Sequence, residues 1–223
     1  MNVAGNLESL LNELPSAVKL IAVTKTHPIE VILQAYQSGH KIFGENKAQE
    51  LVTKHQNLPE DIEWHMIGHL QTNKVKYIAP FVHMIHSVDS LKLLQTIDRE
   101  AAKNDRVIDC LLQLKIAKEE TKFGMDYGDI LALLYSSDYK QCSNIRIAGL
   151  MGMATFTRDE SQIEKEFGYL ADTFWKIKDS FFKEITYFCE LSMGMSDDYK
   201  IAVKAGSTMV RIGSLIFGAR TYH

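Results

Sequence analysis

The chain has 223 residues, 46% of them hydrophobic and 24% charged, enough for one sizeable core in an ordinary globular protein. A net charge of -3 gives no footing for nucleic acid or an anionic membrane as a partner, so an anionic ligand would have to be held by local charge. Cys110, Cys142 and Cys189 are far apart, odd in number and set in apolar segments, which fits reduced cytosolic thiols and argues against a disulfide framework or a zinc site.

Residues 1–14 lack a basic segment followed by a long apolar one, so no signal peptide is expected, and no stretch has the length to span a bilayer. Leu7, Leu10, Leu11 and Leu14 recur at helical spacing and predict a short amphipathic helix at the start. Residues 20–23 follow as a short apolar run between Pro15 and Pro28, the pattern of a strand buried on both faces. Lys25 stands where that strand runs out. Pro28 then opens a segment with Ile29, Ile32, Leu33 and Tyr36 on one face, stopped by Gly39.

The alternation continues. Residues 41–46 predict a second strand and Ala48, Leu51 and Val52 a helix; residues 63–68 predict a third strand and residues 70–79 a helix ended by Pro80. Residues 84–88 are the fourth strand, and Ser90 can cap the helix bearing Leu91, Leu94 and Ile97. A fifth strand is expected over 108–116 with a helix at 130–134, and a sixth over 145–153 with a long helix at 163–177. A seventh is expected over 185–191 with a short helix near 197–204, and an eighth over 208–212. Eight strand–helix units in this length, with no long linker, predict a closed (β/α)₈ TIM barrel occupying residues 1–223 as one domain, with the N-terminal helix as an addition.

In such a barrel the carboxyl ends of the strands meet at one mouth, where chemistry is placed. Those ends are rich in polar and small residues here: Lys25, then Gly44-Glu45-Asn46, Gly68-His69, Gly149 to Met153, Ser192 to Asp198, and Arg211-Ile212-Gly213-Ser214. The Ser196-Asp197-Asp198 loop and the Gly206-Ser207-Thr208 loop, with Arg211 nearby, suggest a phosphate cradle, since small residues admit an anion to backbone N–H groups and serines donate hydroxyls. A desolvated lysine forms imines with carbonyls. Lysine plus phosphate cradle therefore points either to pyridoxal 5'-phosphate (PLP), which carries both groups, or to an aldolase-type sugar phosphate.

The ordered set Ala22-Val23-Thr24-Lys25, Phe43-Gly44-Glu45-Asn46, the Trp64 to Lys74 stretch, Gly149-Leu150-Met151, the Ser192 to Asp198 stretch and the Gly206 to Gly213 stretch resembles the pyridoxal phosphate homeostasis protein family (YggS/PROSC-like). The resemblance runs from about Lys19 to Tyr222. It implies a fold-type III PLP barrel related to the N-terminal domain of alanine racemase; the cysteine usage predicts a cytoplasmic protein, and the lack of room for a dimer-forming domain predicts a monomer. The resemblance also implies a role in intracellular vitamin B6 homeostasis without catalytic turnover, a racemase-like enzyme being the alternative. It further implies Lys25 as the Schiff-base lysine, and Ser196, Gly213 and Ser214 on the phosphate with Ser207 and Thr208 nearby. Asn46 would stand near the ring, while Met151 and Met153 read either as packing on it or as part of an ordinary barrel layer. Arg211 would face the pyridine nitrogen by analogy with alanine racemase, or reach the phosphate. The implied partners are PLP and apo forms of PLP-dependent enzymes.

The sequence expectation is also that no C-terminal β-domain follows, since the eighth strand is expected to end near Phe217. His65 with His69, and His83 with His86, are the metal-ligand pairings the spacing offers, but strand context and Gly68 spoil helical His-x-x-x-His geometry, so no metal is expected. Trp64 reads as packing and Lys74 as a solvated face. Glu119, Glu120, Lys122 and Gly124 read as a loop after the fifth strand that either bridges the mouth or only shapes that loop.

Overall fold

The computed structural model describes residues 2–119 and 123–218. Eight strands, β1 (Lys19–Val23), β2 (Ile42–Glu45), β3 (Glu63–Met66), β4 (Met84–Val88), β5 (Ile108–Gln113), β6 (Ile145–Met151), β7 (Glu190–Ser192) and β8 (Met209–Ile212), pair in sequence order. All the pairings are parallel and the sheet closes on itself. Closure is made by β1 against β8, with Ala22 opposite Ile212. The (β/α)₈ barrel expected from the alternation is the observed fold.

Helices α1 (Val3–Glu13), α2 (Ile29–Gln37), α3 (Ala48–Asn57), α4 (Val75–Ile78), α5 (Leu91–Ala102), α6 (Tyr127–Tyr135), α7 (Ser137–Lys140), α8 (Glu160–Phe181), α9 (Tyr199–Lys204) and α10 (Ser214–Phe217) lie between and around the strands. None among the described residues is long and apolar enough to cross a membrane. Local chemistry sets several helix starts. The Ser90 side chain accepts from Leu93 N at α5, and Asp126 and Asp129 close a capping box on α6.

Alternation along each strand divides the core in two. Leu20 and Ala22 face outward into the main cluster under the helices, while Ile21 and Val23 face inward with Ile67, Met84, Leu111, Ala148, Met151 and Met209. A period of two makes this strict. It places Glu63, His65 and Arg211 inside the cylinder, because their neighbours Trp64, Met66, Val210 and Ile212 belong to the outer layer.

Several boundaries differ from the sequence expectation. β7 covers only Glu190–Ser192, because Phe182 and Phe188 stack at 4.3 Å, and Phe188 also stacks on Phe174 of α8, which uses the apolar residues before the strand for packing. β5 and β6 stop at Gln113 and Met151. The helix expected over 70–79 is a 3₁₀ turn at Thr72–Lys74 followed by the single turn of α4. After β8 the chain does not continue as strand to Phe217 but coils into α10.

Candidate functional site

A cavity of about 480 Å³ opens at the carboxyl mouth of the barrel, within the range of small-molecule sites. It is lined by Lys25, Asn46, Ser196, Arg211, Gly213 and Ser214, contributed by the ends of β1, β2, β7 and β8 and brought together by closure. Six of the nine candidate residues thus share one wall. His27, Gly68, His69, Gln113, Phe123, Met153, Phe156 and Asp197 complete much of the rest.

The turn that carries Lys25 is braced on both sides. The Thr24 hydroxyl donates to Glu45 Oε1 at 2.5 Å, and Lys54 Nζ donates to Thr24 O at 2.7 Å. Lys54 also bonds Glu45 Oε1 at 2.5 Å and Glu50 Oε1 at 2.8 Å, and Glu50 in turn accepts from Thr26 N at 2.6 Å. Glu45 and Lys54 are 0% and 5% exposed. Burial pushes the Glu45 carboxyl above its ordinary value, opposed by Lys54 and the Thr24 hydroxyl. Thr26 sits at φ 67°, in the left-handed region that a threonine enters only when its surroundings hold it there. The amine is therefore mounted on a rigid turn, braced by a buried Lys54 that carries no signal of this role in the sequence.

Arg211 lies deeper, within β8, and is 4% exposed. Its Nη1 donates to Ser192 Oγ at 2.6 Å and its Nη2 to Gly152 O at 3.0 Å. Burial lowers its pKa to about 10, so it stays a cation at neutral pH. Ser192 Oγ also meets His86 Nδ1 at 2.9 Å, and His86 Nε2 meets His65 Nδ1 at 2.8 Å, giving a buried polar column that runs down the inside of the barrel. Above Arg211, Gly213 ends the strand and Ser214 begins α10. The first turn of α10 closes with Phe217 N on Gly213 O at 2.9 Å, so the N–H groups of Ser214 and Leu215 precede the first helical bond. Across from them, the turn at Ser196 is fixed by Asp198, whose Oδ1 accepts from Met195 N at 2.6 Å.

Three expected residues do not line the cavity. Ser207 and Thr208 precede β8, so they lie at the opposite, amino-terminal mouth. The Ser207 hydroxyl is buried among the carbonyls of Leu191, Met193 and Met209, and Thr208 Oγ1 bonds Glu190 and Leu191 N. The loops that hold ligands follow strands; the Gly206 loop leads into one. Met151 is fully buried in the inner cluster, while Met153, one alternation further up, reaches the cavity.

Gln113, 3% exposed with its Nε2 on Phe123 O at 2.9 Å, carried no sequence signal beyond a polar residue ending an apolar run. Glu119 ties the loop after β5 to the neighbouring loop after β6, accepting from Phe156 N at 3.2 Å; Glu120 and Lys122 lie outside the described residues.

Residues 1–221 match the family model described as alanine racemase, N-terminal domain. The chain is 38% identical over 210 residues to the pyridoxal phosphate homeostasis protein of Aquifex aeolicus, covering 93% of this chain and 89% of that one. Among solved structures, PipY of Synechococcus elongatus with PLP bound superposes at a TM-score of 0.87 with 34% identity, covering 97% of this chain and all of that one. Alanine racemase of Clostridium difficile superposes at 0.75 with 16% identity, covering 99% of this chain and 57% of that one, a likeness of fold alone.

Proposed function

This chain belongs to the alanine racemase N-terminal domain family, alongside the pyridoxal phosphate homeostasis proteins, and from that premise we propose that it binds PLP at the carboxyl mouth of its barrel and serves intracellular PLP homeostasis. The observation that carries the reading is the convergence of Lys25, Arg211, Ser196, Gly213 and Ser214 on one cavity large enough for the cofactor. The aldehyde of PLP condenses reversibly with an unprotonated amine.

Lys25 is the amine this cavity offers, held by the Thr24–Glu45–Lys54 frame. Ser196, Gly213 and Ser214 hold the phosphate at the rim, with hydroxyls and the open backbone N–H groups of α10 as donors. Arg211 sits below them, inside the strand rather than beyond its end, and so serves the ring side of the site, facing the pyridine nitrogen. Asn46 flanks the ring, with its backbone so close to Gly68 that a Cβ there would meet Asn46 O at 2.4 Å.

A guanidinium beside the ring nitrogen disfavours its protonation, because two positive charges would be adjacent. The protein thus holds the cofactor in a form ill suited to stabilising carbanions, and we read it as a monomeric cytoplasmic carrier that gives PLP up to apo-enzymes without turnover. The test is an absorption spectrum of the full chain with PLP, before and after borohydride, with mass spectrometry of the Lys25 peptide. A visible band that borohydride removes while fixing the cofactor on Lys25 is expected. A Lys25→Ala protein that forms the same reducible linkage would overturn the assignment. Rapid exchange of a free amino acid's α-hydrogen in deuterated water would favour the racemase-like alternative.

A further inference from the structure

At the other end of the barrel, we propose, Glu63, His65 and His83 form a binding site for a divalent transition-metal ion of the zinc class. One ligand atom from each lies within 4.8 Å of the others, and His83 Nε2 is 3.8 Å from Glu63 Oε2. None of the three lines the cofactor cavity. Glu63 opens β3 and His65 follows two residues on, so both project inward from the same face. His83 stands just before β4, pinned beside β3 by its backbone N–H on Trp64 O at 2.8 Å. The sequence pairings, His65 with His69 and His83 with His86, are not the ones that strand register brings together.

The second observation is an unpartnered atom. His65 is 2% exposed, its Nδ1 is engaged by His86, and its Nε2 is buried without a hydrogen-bond partner. A buried polar atom left so costs about 1–3 kcal/mol, and such exceptions in a native fold call for an explanation. A metal ion supplies one. With Nε2 as ligand, His65 Nδ1–H donates to His86 Nε2 and His86 Nδ1–H donates to Ser192 Oγ. That is the arrangement in which a ligating histidine is oriented by a hydrogen bond from its second nitrogen.

Two imidazoles and one carboxylate suit zinc and its first-row neighbours, whereas calcium and magnesium favour oxygen ligands alone. A tetrahedral zinc site needs ligand atoms about 3.3 Å apart, from metal–ligand bonds of about 2.0–2.1 Å. The contraction required is therefore about 1.5 Å at most, within reach of the Glu63 and His83 side chains, which are each 48% exposed. The buried His65 is the fixed member. Both exposed ligands face the open amino-terminal mouth, where water can fill the fourth position.

The experiment uses the full chain, stripped with a chelator and titrated with zinc ion against a chromogenic competitor. One equivalent per chain is expected. Glu63→Gln and His83→Ala, both at solvent-facing side chains that the fold does not rest on, are each expected to weaken binding at least tenfold. Cys189→Ser, which removes the exposed thiol as a competing ligand, is expected to leave the affinity unchanged. Absence of stoichiometric binding overturns the proposal, as does an affinity unchanged in both Glu63→Gln and His83→Ala.

Discussion

Replacing Lys54 by methionine tests whether the frame around Lys25 holds the site in place. The substitution keeps most of the side-chain volume and removes an ammonium that is 5% exposed and makes three bonds of 2.5–2.8 Å. Glu45, 0% exposed, would keep only the Thr24 hydroxyl and its own neighbouring N–H as donors. Removing one partner of a buried ion pair costs about 3–5 kcal/mol. In a chain of this size each kcal/mol is worth about 2–4 °C, so the melting midpoint should fall by about 10 °C at pH 7.

The deficit should also depend on pH, with a definite sign. The Glu45 carboxyl is already raised by burial, and without Lys54 it rises further. The folded state then binds more protons than the unfolded chain once pH exceeds the unfolded value near 4.5, so stability is fully present below that pH and lost as pH rises through the folded pKa. Lys54→Met should therefore lie close to the parent at pH 4.5 and far below it at pH 7.5. Adding Glu45→Gln should recover more than half of the loss, because the uncompensated charge is gone and Thr24 keeps an acceptor. PLP affinity should drop about tenfold even where the fold survives. Urea titrations at the two pH values and equilibrium dialysis of PLP measure all of this. A deficit under about 1 kcal/mol at pH 7, or one identical at both pH values, would refute the reasoning.

Gly149→Ala should be among the most damaging single changes in the barrel. Gly149 has φ 156°, sits at the register shift between β5 and β6, and a Cβ on it would meet Glu190 O at 1.7 Å; a loss of about 3–5 kcal/mol in urea titration is expected. Thiol labelling should divide the cysteines. Cys189 is exposed and should react in the native state, whereas Cys110 is fully buried with its thiol pushed far up by burial and should react only on unfolding. Glu166→Ala should loosen the loop after β6, since that carboxylate accepts from Thr155 N at 2.6 Å and Thr155 Oγ1 at 2.8 Å. Faster amide exchange around Phe156, with the barrel strands unchanged, is the expected result.

How much of this was open to the sequence follows from the range of the forces involved. Strand β4 and the Ser90 cap were read correctly because each is decided within five or so neighbouring residues. β7, expected over 185–191, was not, since whether residues 185–189 form a strand is decided by the stacking of Phe188 on Phe174, on a helix elsewhere in the chain. Lys25, Asn46, Ser196, Arg211, Gly213 and Ser214 come together on one cavity because strand ends converge in a barrel whatever the details. Ser207 and Thr208 were misplaced for a topological reason: a small polar loop looks the same in composition whether it follows a strand or precedes one. The Glu63–His65–His83 group was invisible because its members meet across strand register, and Lys54 because its bonds to Thr24 and Glu45 depend on how α3 packs on β1 and β2.

The interior of this barrel departs from the layers of branched apolar side chains that usually fill one, and the departure has an electrostatic purpose. An inner apolar cluster shares the space with His65, His86, Ser192 and Arg211. Apolar layers alone could not satisfy a buried guanidinium, and a carboxylate contact would satisfy it by cancelling its charge. Here Arg211 donates to a hydroxyl and a backbone carbonyl, both neutral, and the histidines behind them are held uncharged by burial. Among the described residues, the carboxylate acting on Arg211 through space is that of Asp198, itself engaged by Met195 N and pushed toward neutrality by burial. The column thus meets the geometric needs of the arginine while leaving its positive charge to act on the cavity, where low polarizability makes that charge felt more strongly than it would be in water. An electron-rich ring face or nitrogen placed above it meets a fixed cation that does not have to reorganise. That explains why the chain can tolerate His65, His86 and Ser192 inside its barrel: together they keep the Arg211 charge buried and aimed.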